Sequence, residues 1–221
     1  MVKNTAAGQK SDLSSNYFFM KKTFSQSLFF ICVWVFSFGA AHALNLSEPL
    51  PPQGAVFKYD IFYKDEKVGE HRLKIVPEGE LIRLDHSREI DVKVMFISAF
   101  TEKHRSTEWW TKAPHLSKLN AKTQMNGKEV DMTGQVGTNG LLFRVGDQEE
   151  VVPLDAVTLD SYWVANAPKH PIVIDVSQGK ILKTTSKTLP DGSIELIGEG
   201  FQGKFSYEGD FLAVGELTRN G

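Results

Sequence analysis

The chain has 221 residues, with 25 lysines and arginines against 27 aspartates and glutamates and a net charge of −2. That balance argues against nucleic acid or an anionic membrane surface as the main partner. A single cysteine excludes a disulfide framework, and the length is that of one domain able to bury a core without covalent staples.

In chain order, Met20-Lys21-Lys22 is a basic start, and Leu28–Phe38 is almost wholly apolar. Ala41-His42-Ala43 then supplies the small residues that a signal peptidase reads. The apolar run is about half of what a helix needs to cross a bilayer core, so it is not a spanning anchor. Residues 1–43 therefore read as an N-terminal extension and signal peptide, with translation starting at Met20, cleavage after Ala43 and the periplasm as destination. Cleavage removes four lysines and one aspartate, which takes the net charge from −2 to −5. It also removes Cys32, the only cysteine, so the processed chain has no thiol nucleophile and no thiolate metal site.

Residues 44–54 hold three prolines and read as an extended leader, and residues 55–221 as a single β domain. Phe57, Tyr59, Ile61 and Tyr63 alternate with Lys58, Asp60, Phe62 and Lys64, the period of a half-buried strand. A turn at Asp65-Glu66-Lys67 leads to a second strand, Val68–Val76. The third, Leu81–Phe96, is long, and its inward side carries Ile82, Leu84, His86, Arg88, Ile90, Val92, Val94 and Phe96. The chain reverses near Ile97–Ala99, and Phe100–Thr111 runs back. Further strands are expected at Leu116–Met125, Glu129–Val136, Leu141–Val145, Ile172–Val176, Lys180–Leu189, Ser193–Ile197, Gly203–Tyr207 and Phe211–Thr218. Asn126-Gly127, Asn139-Gly140, Gly146-Asp147 and Gly209-Asp210 separate them, residues that tolerate the positive φ of tight turns. Only Leu154–Ala167 lacks alternation, and Leu159, Tyr162 and Trp163 suggest a short helix there. So many strands on short turns must curl to protect their edges. The expected fold is mostly β: a strongly curved antiparallel sheet, a barrel or half-barrel with one short helix. A two-sheet β-sandwich is the alternative.

A hairpin turning near Ile97–Ala99 puts Phe96 opposite Phe100, Val92 opposite His104, Arg88 opposite Glu108 and His86 opposite Trp110. His71 shares its side of the preceding strand with Leu73 and Ile75. The candidate ligand-binding residues are therefore His71, His86, Arg88, His104, Glu108, Trp110 and Trp163, a few convergent polar groups on an apolar wall. The same groups also suit an internal ion pair among hydrogen-bonded core histidines. No two of these histidines have the i, i+2 or i, i+4 spacing of a close metal pair, so no metal and no cofactor is expected. Ser161 lacks a G-x-S-x-G elbow, and there is no H-E-x-x-H or phosphate-binding glycine loop.

Several stretches in this order resemble a family of exported bacterial proteins known only as a domain of unknown function. They are Tyr59-Asp60-Ile61-Phe62-Tyr63, Val68-Gly69-Glu70-His71-Arg72, His104-Arg105-Ser106-Thr107-Glu108-Trp109-Trp110, Asp160-Ser161-Tyr162-Trp163 and Ile174-Asp175-Val176-Ser177-Gln178-Gly179. Where that family carries Pro-Thr-Ser before the tryptophan, this chain has Leu159-Asp160-Ser161. The opening hairpin is also similar to that of periplasmic half-barrels that carry lipoproteins, which implies a concave sheet able to shelter an acyl chain.

The leading expectation is a periplasmic carrier for a lipid-like or apolar small molecule, Arg88 orienting an anionic head with Glu108 beside it. An enzyme is the less favoured reading, a hydrolase with His104 as general base acting on an envelope lipid or ester. The third is an interaction module that meets an envelope protein partner through the apolar hairpin tip Met95–Phe100.

Overall fold

The computed structural model describes residues 15–22, 54–111 and 115–220. The apolar run and cleavage site assigned to the signal peptide lie outside them. One sheet of 15 strands organises the chain. After β1 (Ser15–Lys22) come β2 (Val56–Tyr63), β3 (Glu66–Glu78), β4 (Leu81–Val94) and β5 (Ile97–Thr111). Then follow β6 (Leu116–Met125), β7 (Lys128–Gly137), β8 (Gly140–Val145), β9 (Gln148–Val152) and the two-residue β10 (Val157–Thr158). The last five are β11 (Ile172–Asp175), β12 (Lys180–Thr188), β13 (Ile194–Gly198), β14 (Phe201–Glu208) and β15 (Phe211–Asn220).

Strand order forces the curvature. The two ends of the sheet are β9 and β10, yet these strands are consecutive in the chain. Laid flat, 15 strands would span roughly 65 Å, whereas the chain from Val152 to Val157 reaches at most about 17 Å. The sheet must therefore wrap round, and it does so without closing: among the described residues β9 pairs only with β8, and β10 only with β11. This is the curved half-barrel expected, and the sandwich alternative falls because one continuous sheet provides both walls. In place of one helix between Leu154 and Ala167 there are two 3-10 turns, Leu159–Trp163 and Ala167–Lys169. The first puts Tyr162 and Trp163 into the concave core with Tyr59, Leu84, Phe143, Leu196 and Phe205.

β1 occupies the slot between β15 and β2, with Lys21 opposite Val214 on one side and Asp60 on the other. It is drawn from the stretch assigned above to the N-terminal extension and signal peptide.

The long hairpin departs from its expected register. It reverses at Met95-Phe96 rather than Ile97–Ala99, and a bulge lies between Val92 and Lys93. Arg88 consequently faces His104, and Glu108 faces Leu84. The slip is an even number of residues, so every side chain keeps its face while every partner changes. β4 ends at Val94, and Val94 and Phe96 are exposed rather than inward. β3 pairs with β4 only as far as Ile90, and Thr101 makes the last bonds on the other side, to Asn126. Residues 91–100 thus form a two-stranded arm extending roughly 15 Å past the neighbouring ladders. Ile61, Ile90 and Val92 form a small second core at its base.

Candidate functional site

The inward face of β4 and β5 carries polar groups because alternation places His86, Arg88, Glu102, His104, Ser106 and Glu108 on the same side as Leu84 and Ile90. Desolvating such groups is costly unless each finds a partner. The partners come from the 3-10 turn Leu159–Trp163, pressed onto this face by its buried Tyr162 and Trp163.

Asp160 is the hub. Its Oδ2 lies 2.7 Å from His104 Nε2 and accepts the Ser106 hydroxyl at 2.7 Å, while Oδ1 accepts from Arg88 Nη1 at 3.1 Å. Arg88 also donates to Glu102 Oε1 through Nε at 2.7 Å. His104 Nδ1 meets the Thr123 hydroxyl at 2.7 Å, so both ring nitrogens are engaged. Burial alone would raise the Asp160 carboxyl, but His104 and Arg88 hold it well below the usual carboxylate range. Burial likewise opposes the Arg88 charge, and Glu102 and Asp160 outweigh it.

Glu108 belongs to a second cluster. The Thr158 hydroxyl donates to its Oε1 at 2.6 Å and the Trp110 indole to its Oε2 at 2.8 Å. Ser161 sits 2.7 Å from the Thr158 hydroxyl. Burial, with Asp160 adding to it, pushes the Glu108 carboxyl up to about 8 against these hydrogen bonds. Burial thus favours the protonated, neutral form of Glu108 to a higher pH than an ordinary carboxyl. His86 Nδ1 is 3.3 Å from His71 Nε2, and the two rings stack at 5.5 Å. Burial drives both below the ordinary histidine value, His86 to about 4, so both rings are neutral at pH 7.

Six of the seven residues singled out in the sequence meet here: His71, His86, Arg88, His104, Glu108 and Trp110. Trp163 is in the same core but stacks on Phe57, its indole N–H without a partner among the described residues. The expected Arg88–Glu108 pair does not form; four residues of register separate them, and Arg88 pairs with Glu102 and Asp160 instead. Sequence reasoning missed Asp160, Glu102 and Thr158. An aspartate between Leu159 and the aromatic pair Tyr162-Trp163 was the available signal.

Chemically, the cluster is inaccessible: His104 is 1% exposed and Asp160 3%. His104 offers no free nitrogen to act as a base on a bound ester. Among the described residues no group of three His, Cys, Asp or Glu is arranged to hold a metal ion.

A cavity lies elsewhere, at the seam where the two ends of the sheet approach. It measures about 430 Å³ and is lined by Met132, Phe143, Val145 and Ile181 together with Gln148, Glu149, Glu150 and Gly179. Gly179 makes the seam possible. At its φ of +64° a Cβ would lie 2.9 Å from Val145 Cγ1 and 3.1 Å from Val130 Cγ1, so only glycine lets the β11–β12 turn seat on β7 and β8.

No curated protein and no solved structure matches the chain. Residues 59–211, which include every member of the buried cluster, match the model of the family described as Domain of unknown function (DUF6134), and the chain belongs to that family.

Proposed function

We propose that the chain is an exported, periplasmic binding protein that holds an apolar small molecule at the seam of its half-barrel. The observation that carries this reading is the seam cavity. Its about 430 Å³ falls within the range of small-molecule sites, and Met132, Phe143, Val145 and Ile181 supply apolar groups to a lining shared with Gln148, Glu149 and Glu150. Burial of the ligand's apolar surface supplies the affinity, at about 25 cal/mol per Å².

The charged cluster has a different task. Arg88, Asp160, Glu102 and His104 spend their hydrogen bonds on one another, which supports a role as a lock between the 3-10 turn and the β4–β5 wall. Head-group selection falls to the polar side of the seam, where Glu150 favours a neutral or cationic end over an anionic one, Glu149 being paired with Arg144.

The test is native mass spectrometry on protein purified from the producing cells. The expected species begins at Leu44 and retains an apolar adduct that Ile181→Asp abolishes. A processed protein whose adduct survives Ile181→Asp overturns the seam site. An unprocessed, cytoplasmic chain overturns the export reading.

A further inference from the structure

The arm formed by residues 91–100 is not used by the binding reading above, and its construction is unusual. At its apex stand four exposed apolar side chains: Val94 at 50%, Met95 at 87%, Phe96 at 101% and Ile97 at 73%. Both central turn residues have positive φ, Met95 at 50° and Phe96 at 69°. A two-residue turn of this kind strongly prefers Asn-Gly, since L side chains are strained there. The neighbouring hairpin uses that solution, with Asn126-Gly127 at its corner. The arm thus bears backbone strain to present two large apolar groups to solvent, and such strain clusters where it serves a task.

We infer that this arm is a membrane-insertion device whose tip, Val94 to Ile97, enters the boundary between lipid head groups and acyl chains. Three features favour a bilayer over a protein groove. The tip offers about 500 Å² of apolar surface, short of the about 800 Å² per partner of a stable protein interface. It is convex and stands clear of the ladders on either side, so it can be immersed without the rest of the sheet following. Lys93, next to Val94, is exposed and paired with Asp91 at 3.5 Å, where its stem can lie along the apolar tip and its ammonium group reach the head groups; Lys64 and Lys103 are exposed farther back. Asp65, Glu66 and Asp91 are exposed in the same zone. The local charge is therefore mixed, and insertion is driven by apolar burial rather than by anionic lipid.

The test places an environment-sensitive fluorophore at position 96 (Phe96→Cys, Cys32→Ser) and, as control, at exposed Lys74 (Lys74→Cys, Cys32→Ser). Phosphatidylcholine vesicles, without and with anionic lipid, are then added. The expected result is a blue shift at position 96 alone, similar in both vesicles and at low and high salt. In sedimentation, Phe96→Asp should weaken partition roughly ten- to a hundredfold. Met95→Asn/Phe96→Gly should abolish partition while raising the melting temperature, because it relieves the turn. No shift at position 96, an equal shift at position 74, or partition untouched by Phe96→Asp overturns the inference. So does saturable binding of the tip to a protein partner with no vesicle response.

Discussion

Replacing Glu108 by glutamine isolates a single proton in the stability of this fold. In the folded chain burial raises the Glu108 carboxyl from 4.5 to about 8. Between those values the folded state keeps a proton that the unfolded state has lost, so stability falls as pH rises. His86 and His71 act in the opposite sense. Their folded values lie below 6.5, so their contribution is lost as pH drops from 6.5 towards 4. The tail of the histidine effect reaches into the window from pH 6.5 to 8 with the opposite sign, but it is common to wild type and Glu108→Gln, so the difference between the two isolates the Glu108 effect. One proton over that window amounts to about 2 kcal/mol. For a domain of this size that is roughly 4–8 °C in Tm. Glutamine mimics the protonated acid: its amide can accept from the Trp110 indole and donate towards Thr158. Thermal denaturation of both forms across this range is the assay. The Tm of wild type should fall relative to that of Glu108→Gln across the range, the two matching near pH 6.5 and Glu108→Gln exceeding wild type at pH 8. Parallel curves, or a large loss for Glu108→Gln at pH 6.5, would refute the assignment.

Two further outcomes follow. The Tyr59 hydroxyl is buried without a hydrogen-bond partner among the described residues, so Tyr59→Phe should be neutral or stabilising by about 1 kcal/mol in denaturant titration; a loss larger than that would refute this assignment. If residues 1–43 are removed on export, as proposed, β1 leaves the slot between β2 and β15. Backbone amides of residues 59–62 and 214–220 that face it should then exchange faster in the processed protein than in the precursor, and equal protection would contradict that reading.

How much of this was legible in sequence divides along physical lines. Alternation located β2 to β8 and β11 to β15, because a half-buried strand leaves a period-two signature. β9 escaped because Gln148-Glu149-Glu150 is an exposed edge with no apolar face to alternate. The inward set on β4 and β5 was readable, since facing depends only on parity. The partners were not: register depends on the turn, and nothing in Met95-Phe96 announces a positive-φ corner in the way Asn126-Gly127 does. That slip turned an expected Arg88–Glu108 pair into two separate clusters. Asp160 joins its partners across more than 50 residues of chain, a contact that no local pattern encodes. The seam cavity depends on wrapping and was likewise beyond reach of periodicity.

The central claim is that the buried charges close the core while the ligand sits at the seam. The most direct measurement compares binding of the apolar probe N-phenyl-1-naphthylamine by wild type, Ile181→Asp and Arg88→Gln, at a temperature where all three are folded. On this account Ile181→Asp weakens the probe about tenfold or more, and Arg88→Gln leaves its affinity unchanged. The reverse pattern, with Arg88→Gln weakening the probe and Ile181→Asp not, would mean that the charge cluster is the pocket and the account is wrong.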